Sequence, residues 1–187
     1  MIERVIKKRK SVRRYLDKKP DWKKILHCID SARFAPMAGN QFALKFILVS
    51  DEEKIYRISK ACQQDFVAQA KYLVVFVSDD EKVSRSYGEK SEMFARQQAG
   101  AAIENFLLTL TEKGLATCWV GWFDSNQIKS VLKIPETSFV EAVFPIGFET
   151  KVKTTQKPKP ELSNLIYFNQ WKNKYMEANT RITHEDA

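Results

Sequence analysis

One uninterrupted apolar segment near the middle of the chain restricts the fold more than any other feature of the sequence. Residues Tyr72–Val77 read YLVVFV, with an apolar side chain at every position. Successive residues of a β-strand point to opposite faces of the sheet, so a strand with one exposed face would alternate apolar and polar residues. The segment therefore predicts a central strand in a sheet that is covered on both faces.

Periodic patterns predict the elements around this strand. We expect helices at Ile2–Lys8, from a cap at Asp21 to before Pro36, from a cap at Asp51 to about Cys62, at Ser91–Lys113 and at Asp124–Leu132. We expect further strands at Lys45–Ser50, Thr117–Gly121 and Val140–Ile146. The polar stretch 79–90 predicts a long loop. Because the helix at Ser91–Lys113 is apolar almost all round over much of its length, it is expected either in the core or against a second subunit.

The composition fits one folded domain. A chain of 187 residues with 44% hydrophobic and 12% aromatic content can bury a substantial core. We predict a single domain over 1–187, with an extended C-terminal arm from about residue 151. The sequence has no long uncharged apolar stretch and no apolar signal segment, which predicts a soluble protein of the cytoplasm. Its three cysteines are far apart and indicate neither a disulfide framework nor a zinc site.

Positive charge is concentrated at the N-terminus. Residues 1–34 hold twelve Lys or Arg against four Asp or Glu, which accounts for the whole net charge of +8, whereas residues 35–187 hold nineteen of each. Six of the eight residues in Lys7–Arg14 are basic. Such a local excess indicates one anionic partner, which could be a nucleic acid, an acidic membrane or a phosphate-bearing cofactor.

The spacing of the glycines limits how a phosphate could be bound. The six glycines of the chain are isolated, with no two within six residues of one another. Both G-x-G-x-x-G and the Walker loop need closely spaced glycines so that backbone amides can surround a phosphate. Side chains would therefore have to bind it. Arg9, Ser11 and Arg13 alternate, so an extended segment would present them on one side as a phosphate clamp.

Two other interpretations of this basic segment remain open. A solvated basic run is the simpler explanation of these residues taken alone. A nucleic-acid surface is the other, although Tyr15 is the only aromatic residue in the immediate neighbourhood and the stacking of bases needs aromatic platforms.

The chain has few side chains that could catalyse a reaction by themselves. Its two histidines are His27, on the charged face of a predicted helix, and His184, in a polar tail. A Ser–His couple, a Cys–His couple or a histidine metal site would have to use one of them. We therefore assign no catalytic side chain and no metal ligand, and we expect an enzyme of this kind to obtain its reactivity from a cofactor.

Five blocks of the sequence together carry a family resemblance. They are RKSVRRY at 9–15, APMAGN at 35–40, QAGAAIENFLL at 98–108, GLATCWVG at 114–121, and IPE at 134–136 followed by PIGF at 145–148. In this order they resemble the R-R-S-x-R-x-F signature, the A-P-S-x-x-N loop, the central helix, the G-L-G-x-x-W-x-G stretch and the L-P-E and G-Y-P landmarks of the nitroreductase family of flavin mononucleotide (FMN) enzymes. The resemblance spans nearly the whole chain.

The resemblance implies a set of cofactor-binding residues. The N-terminal signature implies contacts with the FMN phosphate, ribityl chain or pyrimidine edge from Arg9, Lys10, Ser11 and Arg13. The second block implies that the flavin is reached from the other subunit by Pro36, Met37 and Asn40. The fourth implies that flavin N5 lies near the backbone of Val120 and Gly121. A basic pair late in the family's chains implies that the phosphate site is completed by Lys157 and Lys159.

Three positions depart from the family pattern. Met37 replaces a hydroxyl residue, Phe42–Leu44 stands where Gln-Pro-Trp is frequent, and Phe148–Glu149 replaces Tyr-Pro. These changes make the wall that faces the flavin more apolar than usual, so the family does not indicate the substrate.

By this resemblance the fold is expected to be α+β, with a mixed, largely antiparallel central sheet flanked by helices, in a homodimer that exchanges C-terminal arms. The implied activity is ping-pong transfer of hydride from NADH or NADPH through flavin N5 to a quinone or a nitroaromatic. The alternatives are a nucleic-acid-binding module that uses the basic segment, and an enzyme of the same fold that fragments flavin or removes halogen.

Overall fold

The computed structural model describes residues 2–79, 81–151 and 158–176 and, at Lys82, the backbone alone. The α-helices are α1 (Ile2–Lys8), α2 (Trp22–Ala32), α3 (Glu52–Cys62), α4 (Glu81–Tyr87), α5 (Ser91–Glu112), α6 (Ser125–Leu132) and α7 (Leu162–Leu165). The strands are β1 (Leu44–Val49), β2 (Tyr72–Ser78) and β3 (Phe139–Ile146). Short 3₁₀ turns lie at Ala38–Asn40, Asp65–Gln69 and Gly88–Lys90.

The chain separates into two units, Met1–Val152 and Lys153–Ala187. The first contains the three strands and helices α1 to α6. In the second, α7 is followed by an aromatic cluster in which the rings of Tyr167 and Trp171 lie 4.7 Å apart and the Lys174 ammonium lies 4.1 Å from the Tyr167 ring. The single domain with a C-terminal arm stays a prediction.

Helices α2, α3 and α6 begin where the sequence supplies an aspartate. The carboxylates of Asp21, Asp51 and Asp124 accept hydrogen bonds of 2.9 to 3.1 Å from backbone N–H groups of the first helical turn. These N–H groups have no partner within the helix, so each cap removes an unsatisfied donor. The three predicted helix starts are confirmed.

Strand β2 lies at the centre of an antiparallel sheet with the order β1-β2-β3. All seven of its residues are buried. Leu73, Val75 and Val77 belong to the core that contains α3 and α6, whereas Tyr72, Val74 and Phe76 belong to the core that contains α2 and α5. The central strand and the α+β class are therefore confirmed. Both strand pairs are antiparallel, so the sheet formed by the described residues has no parallel pair.

One bulge in β3 connects the sheet to α5. Phe76 pairs with Ala142 and Val77 with Val140, so Glu141 has no opposite residue in β2. A bulge of this kind redirects the side chain of the extra residue. The carboxylate of Glu141 accepts a hydrogen bond of 2.5 Å from Ser78 Oγ and forms a salt bridge with Arg96 of α5. This pairing fixes the first half of α5 against the sheet.

The segment predicted as a strand at Thr117–Gly121 forms no continuous ladder: one isolated bridge joins it to β3, and a second lies just before it, at Ala116. Ala116 pairs with Gly147 and Val120 with Val143, each through two hydrogen bonds of 2.8 to 3.1 Å. Both bridges share one register, which places the residue between them opposite Pro145. Because proline has no N–H, the middle pair cannot form both of its bonds. The prediction of a strand at Thr117–Gly121 is therefore wrong: the segment has only isolated antiparallel bridges.

The stretch 79–90, expected as a loop, contains α4 and the 3₁₀ turn that follows it, so this prediction is wrong. Val83 is fully buried, and Tyr87, one helical turn later, packs edge-on against Phe94 of α5 with 4.9 Å between ring centroids. Two apolar residues at this spacing stabilise a short helix once a neighbouring helix provides a surface for them.

Candidate cofactor site

The basic segment leaves α1 and is held by backbone hydrogen bonds. Val12 is buried, whereas its neighbours Ser11 and Arg13 are exposed. The Val12 N–H donates to the carbonyl of Thr117 at 2.8 Å, and the hydroxyl of the buried Tyr15 donates to the Val12 carbonyl at 2.6 Å. The backbone is thus fixed on the core while the polar side chains on either side of Val12 face outward.

Ser11 and Arg13 share a neighbour, the thiol of Cys118. Burial raises the pKa of Cys118, and the Arg13 charge and the polar side chains of Ser11 and Arg13 act in the opposite direction, so both side chains lie near this thiol. The Arg13 guanidinium also lies 6.0 Å from the centre of the Phe66 ring. The structure therefore brings Ser11 and Arg13 together over the segment 116–121.

The first two basic residues of the signature contact carboxylates of the same chain. Arg9 Nε lies 3.7 Å from Glu104 Oε1 of α5, and Lys10 Nζ lies 2.7 Å from Glu149 Oε1. Ion pairs that are partly exposed contribute little to stability, so an anionic ligand can replace the carboxylates at a small cost. The two pairs direct Arg9 toward α5 and Lys10 toward the chain that follows β3.

The segment 116–121 has β3 on one edge and the basic segment on the other, and its residues face these two edges alternately. Val120 uses its N–H and its carbonyl on Val143, so the backbone groups of Gly121 point to the opposite edge of the segment. Thr117 has the same orientation as Gly121, and its carbonyl accepts the Val12 N–H on that edge. The Gly121 amide and the residues around Val12 therefore face one region.

The loop with Pro36, Met37 and Asn40 lies beside α4 and α5. Pro36 and Asn40 are exposed, and Met37 packs against the core of α2 and α5. The Asn40 N–H donates to the Met37 carbonyl at 3.0 Å, and Asn40 adopts a φ of 56°, which asparagine tolerates better than most residues. Among the described residues, the loop is joined to α5 by a hydrogen bond of Ala38, and the next residue, Gln41, is joined to α4.

Three buried side-chain atoms have no hydrogen-bond partner in the part of the chain that is described: Gln41 Oε1, Gln98 Nε2 and Thr117 Oγ1. A buried polar group without a partner costs about 1–3 kcal/mol. Thr117 lies beside Ser11 and Arg13, and Gln98 contacts the loop at Ala38. The donors and acceptors at these two segments thus fit a ligand that carries a phosphate, hydroxyl groups and ring carbonyls.

Other predicted features lie outside this cluster. Lys157 falls outside the described residues, and Lys159 is an exposed residue of the second unit. Cys28, Cys62 and Cys118 are free and buried, and burial raises the pKa of Cys28 and of Cys62 to about 12. Within the described residues, no group of three His, Cys, Asp or Glu could hold a metal ion, and no helix is long and apolar enough to span a membrane.

Sequence reasoning missed several contacts of this site. The Cys118 thiol, the Thr117 carbonyl and the Gln98 side chain belong to segments that are distant in sequence from the residues they contact. Glu149 carried a signal, because it departs from the family pattern, but its contact with Lys10 was not predicted. Gln98 also carried a signal, since it is a polar residue that opens an apolar stretch of α5.

Comparison with known proteins gives a family model and close structural relatives. A model described as the nitroreductase family matches residues 6–66 and 59–148. A protein of Archaeoglobus fulgidus named as an NADH dehydrogenase/NAD(P)H nitroreductase is 28% identical over 149 residues, which cover 78% of this chain and 83% of that protein. The crystal structure of a nitroreductase family protein from Clostridium novyi NT is 29% identical, with a TM-score of 0.75 over 96% of this chain and 99% of that chain.

A more distant structure shares the fold. It is that of an iodotyrosine deiodinase bound to FMN and 3-iodo-L-tyrosine, with 22% identity and a TM-score of 0.76. The match covers 86% of this chain and 96% of the deiodinase chain.

Proposed function

Because the chain belongs to the nitroreductase family, we propose that it is an FMN-dependent oxidoreductase that passes hydride from NADH or NADPH to an electron-poor acceptor, such as a quinone or a nitroaromatic, by a ping-pong mechanism. The observation that carries the proposal is that Ser11 and Arg13 both lie at Cys118, while the N–H of Val12 between them binds the carbonyl of Thr117. When bound, FMN supplies the hydride-accepting N5 atom of its ring system.

Each part of the chain has a separate task in this proposal. Ser11 and Arg13 bind the phosphate or the ribityl chain by charge-assisted hydrogen bonds, with Arg9 and Lys10 adding positive charge. The backbone of Gly121, whose neighbour Val120 is bonded to β3, orients the ring near N5. Positive groups at the pyrimidine edge stabilise the negative charge that a reduced flavin carries. No side chain of the chain itself acts as acid, base or nucleophile.

The second half of the site is proposed to come from a second copy of the chain. In a homodimer, Pro36, Met37 and Asn40 of one protomer would contact the flavin held by the basic segment of its partner. Lys157 and Lys159 would complete the phosphate site. Support comes from the orphaned Gln98 amide beside the loop and from the exposure of Pro36 and Asn40 in the single chain.

A double substitution tests whether Ser11 and Arg13 bind FMN. Ser11→Ala with Arg13→Ala removes two charge-assisted hydrogen bonds of about 1.5–3 kcal/mol each, so FMN affinity should fall at least a hundredfold. Arg14→Ala is the matched control, because it removes the same charge from an exposed neighbouring position. Fluorescence titration with FMN measures both. If the double variant and the control bind FMN with equal affinity, the proposed contacts of Ser11 and Arg13 with FMN are excluded.

A second candidate reaction is the reductive removal of halogen from a haloaromatic amino acid. It is favoured by the likeness of the fold to a deiodinase that binds FMN and 3-iodo-L-tyrosine. Release of iodide from 3-iodo-L-tyrosine by the reduced, FMN-loaded protein, without turnover of quinones or nitroaromatics, would support this reaction over the first.

A further inference from the structure

The loop Pro36–Asn40 is held in place by residues of α4 and α5 that the proposed cofactor contacts do not include. We call Ser86, Tyr87 and Gln98 the loop clasp. Gln98 Oε1 accepts the Ala38 N–H at 3.2 Å, and Ser86 Oγ accepts a hydrogen bond of 2.6 Å from the side chain of Gln41. The loop is thus bound at its middle residue, Ala38, and just after its last residue, and Tyr87 lies at Gly39, which is between the two in sequence.

The Tyr87 hydroxyl lies where a side chain at position 39 would be. Gly39 has a φ of 56°, and a β-carbon at this position would lie 2.7 Å from the Tyr87 hydroxyl oxygen. The next nearest atoms of the tyrosine ring would be 3.5 and 3.6 Å away, which are ordinary contacts. A single atom, the hydroxyl oxygen, therefore occupies the space that a side chain at position 39 would need.

Tyr87 is itself fixed in position. Its ring packs edge-on against Phe94 at 4.9 Å, and α4, of which it is the last residue, is anchored by the fully buried Val83. The hydroxyl is therefore carried by a ring that cannot move aside without losing its contact with Phe94. A side chain added at position 39 would therefore displace the backbone of the loop and not the Tyr87 ring.

We propose that Tyr87 is a positioning residue for the cofactor loop: its hydroxyl, packed against Gly39, sets where Met37 and Asn40 lie and thereby sets the affinity for FMN. This inference rests on the proposed function, in which the loop contacts the flavin. It assigns α4 a role that does not require any contact between α4 and the cofactor.

A double-mutant cycle between positions 39 and 87 tests this inference. Gly39→Ala should weaken FMN binding about tenfold, which corresponds to about 1.4 kcal/mol. Tyr87→Phe alone should weaken it by less, because the ring remains and only the hydroxyl is lost. In the Gly39→Ala background, however, Tyr87→Phe should tighten FMN binding, since removal of the oxygen leaves ring atoms at ordinary contact distance. This reversal of sign would not arise from a general loss of stability.

The control separates steric overlap from backbone strain. Gly114 has a φ of 71° and no atom within 4 Å of a β-carbon at its position, so Gly114→Ala introduces a similar strain without overlap. Two results would overturn the inference. One is an affinity of Gly39→Ala equal to that of Gly114→Ala, and the other is an additive effect of Tyr87→Phe in both backgrounds.

A second readout does not depend on the cofactor. Hydrogen exchange at the amides of Ala38, Asn40 and Gln41 should accelerate in Gly39→Ala and slow again in the double variant. If the wild-type protein binds no FMN, the proposed function fails while hydrogen exchange still decides the position of the loop. If FMN binds but Tyr87→Phe does not reverse the effects of Gly39→Ala on hydrogen exchange and on FMN affinity, the role of Tyr87 is refuted and the proposed function stands.

Discussion

At the scale of single residues, one carboxylate limits the positive charge that the basic segment offers to an anion. Glu149 lies 2.7 Å from Lys10 and occupies a position where the family pattern has proline. We predict that Glu149→Gln binds FMN more tightly, by about 0.3–1 kcal/mol at low salt, because a negative charge near an anionic ligand is removed. The gain should shrink at high salt, where charges are screened.

Titration of FMN at low and at high NaCl concentration measures this effect. Glu53→Gln, at an exposed position of α3, controls for the change in net charge. The prediction is contradicted if Glu149→Gln binds FMN no more tightly than the wild-type protein at low salt.

The buried Tyr15 is held by a close contact with Gly147. A β-carbon at position 147 would lie 2.7 Å from Cδ1 and 3.1 Å from Cβ of Tyr15, and these atoms belong to the rigid base of the side chain. Gly147→Ala should therefore lower the free energy of unfolding by about 1–3 kcal/mol. In Gly121→Ala the new atom would meet only Trp119, at 3.6 Å or more, so this variant should stay near the wild-type stability. Urea unfolding that shows the two variants equally stable would refute this prediction.

At the scale of the elements, Gly100 gives a test of where α5 packs. It lies inside α5, and no atom of the described chain lies within 4 Å of a β-carbon at its position. A glycine inside a helix costs about 1 kcal/mol relative to alanine, so a close approach by a second chain would account for it. Gly100→Leu should then weaken the proposed dimer, with Gly100→Ala intermediate.

Sedimentation velocity at micromolar protein concentration measures the association of these variants. If the dimer dissociates more readily in Gly100→Ala than in the wild-type protein, and more readily still in Gly100→Leu, α5 lies at the interface. If both variants sediment as the wild-type protein does, α5 has no such contact.

The elements differ in how far the sequence determines them. Strand β2 and the capped starts of three helices were predictable, because a continuous apolar run and an aspartate before a helix act locally. Helix α4 was missed because it depends on the surface that Phe94 provides for Tyr87. The break in the segment 116–121 depends on Pro145, which is opposite in space and distant in sequence.

The candidate site shows the same division. The alternation of Arg9, Ser11 and Arg13 was visible in the sequence, because extended backbone places every second residue on one side. That Ser11 and Arg13 meet at Cys118 was not visible, since it requires the bridges that align the segment 116–121 with β3. The pairing of Lys10 with Glu149 likewise depends on the end of β3.

At the scale of the whole molecule, the net charge of +8 is local and is partly matched within the fold. Arg9 and Lys10 contact Glu104 and Glu149, and Arg13 turns toward Cys118 and Phe66. Arg13 and Arg14 remain exposed, so the salt dependence of affinity distinguishes the nucleic-acid alternative, because binding along a phosphate backbone depends steeply on salt.

The central claim is that the chain binds FMN and exchanges hydride through it. The most direct measurement is the absorbance of the FMN-reconstituted protein at about 450 nm. NADH or NADPH is added first under anaerobic conditions, and a quinone is added afterwards. We predict that the flavin band bleaches with at least one nicotinamide and returns when the quinone is added. A protein that takes up no FMN, or a bound flavin that stays oxidised with both nicotinamides, would contradict the account.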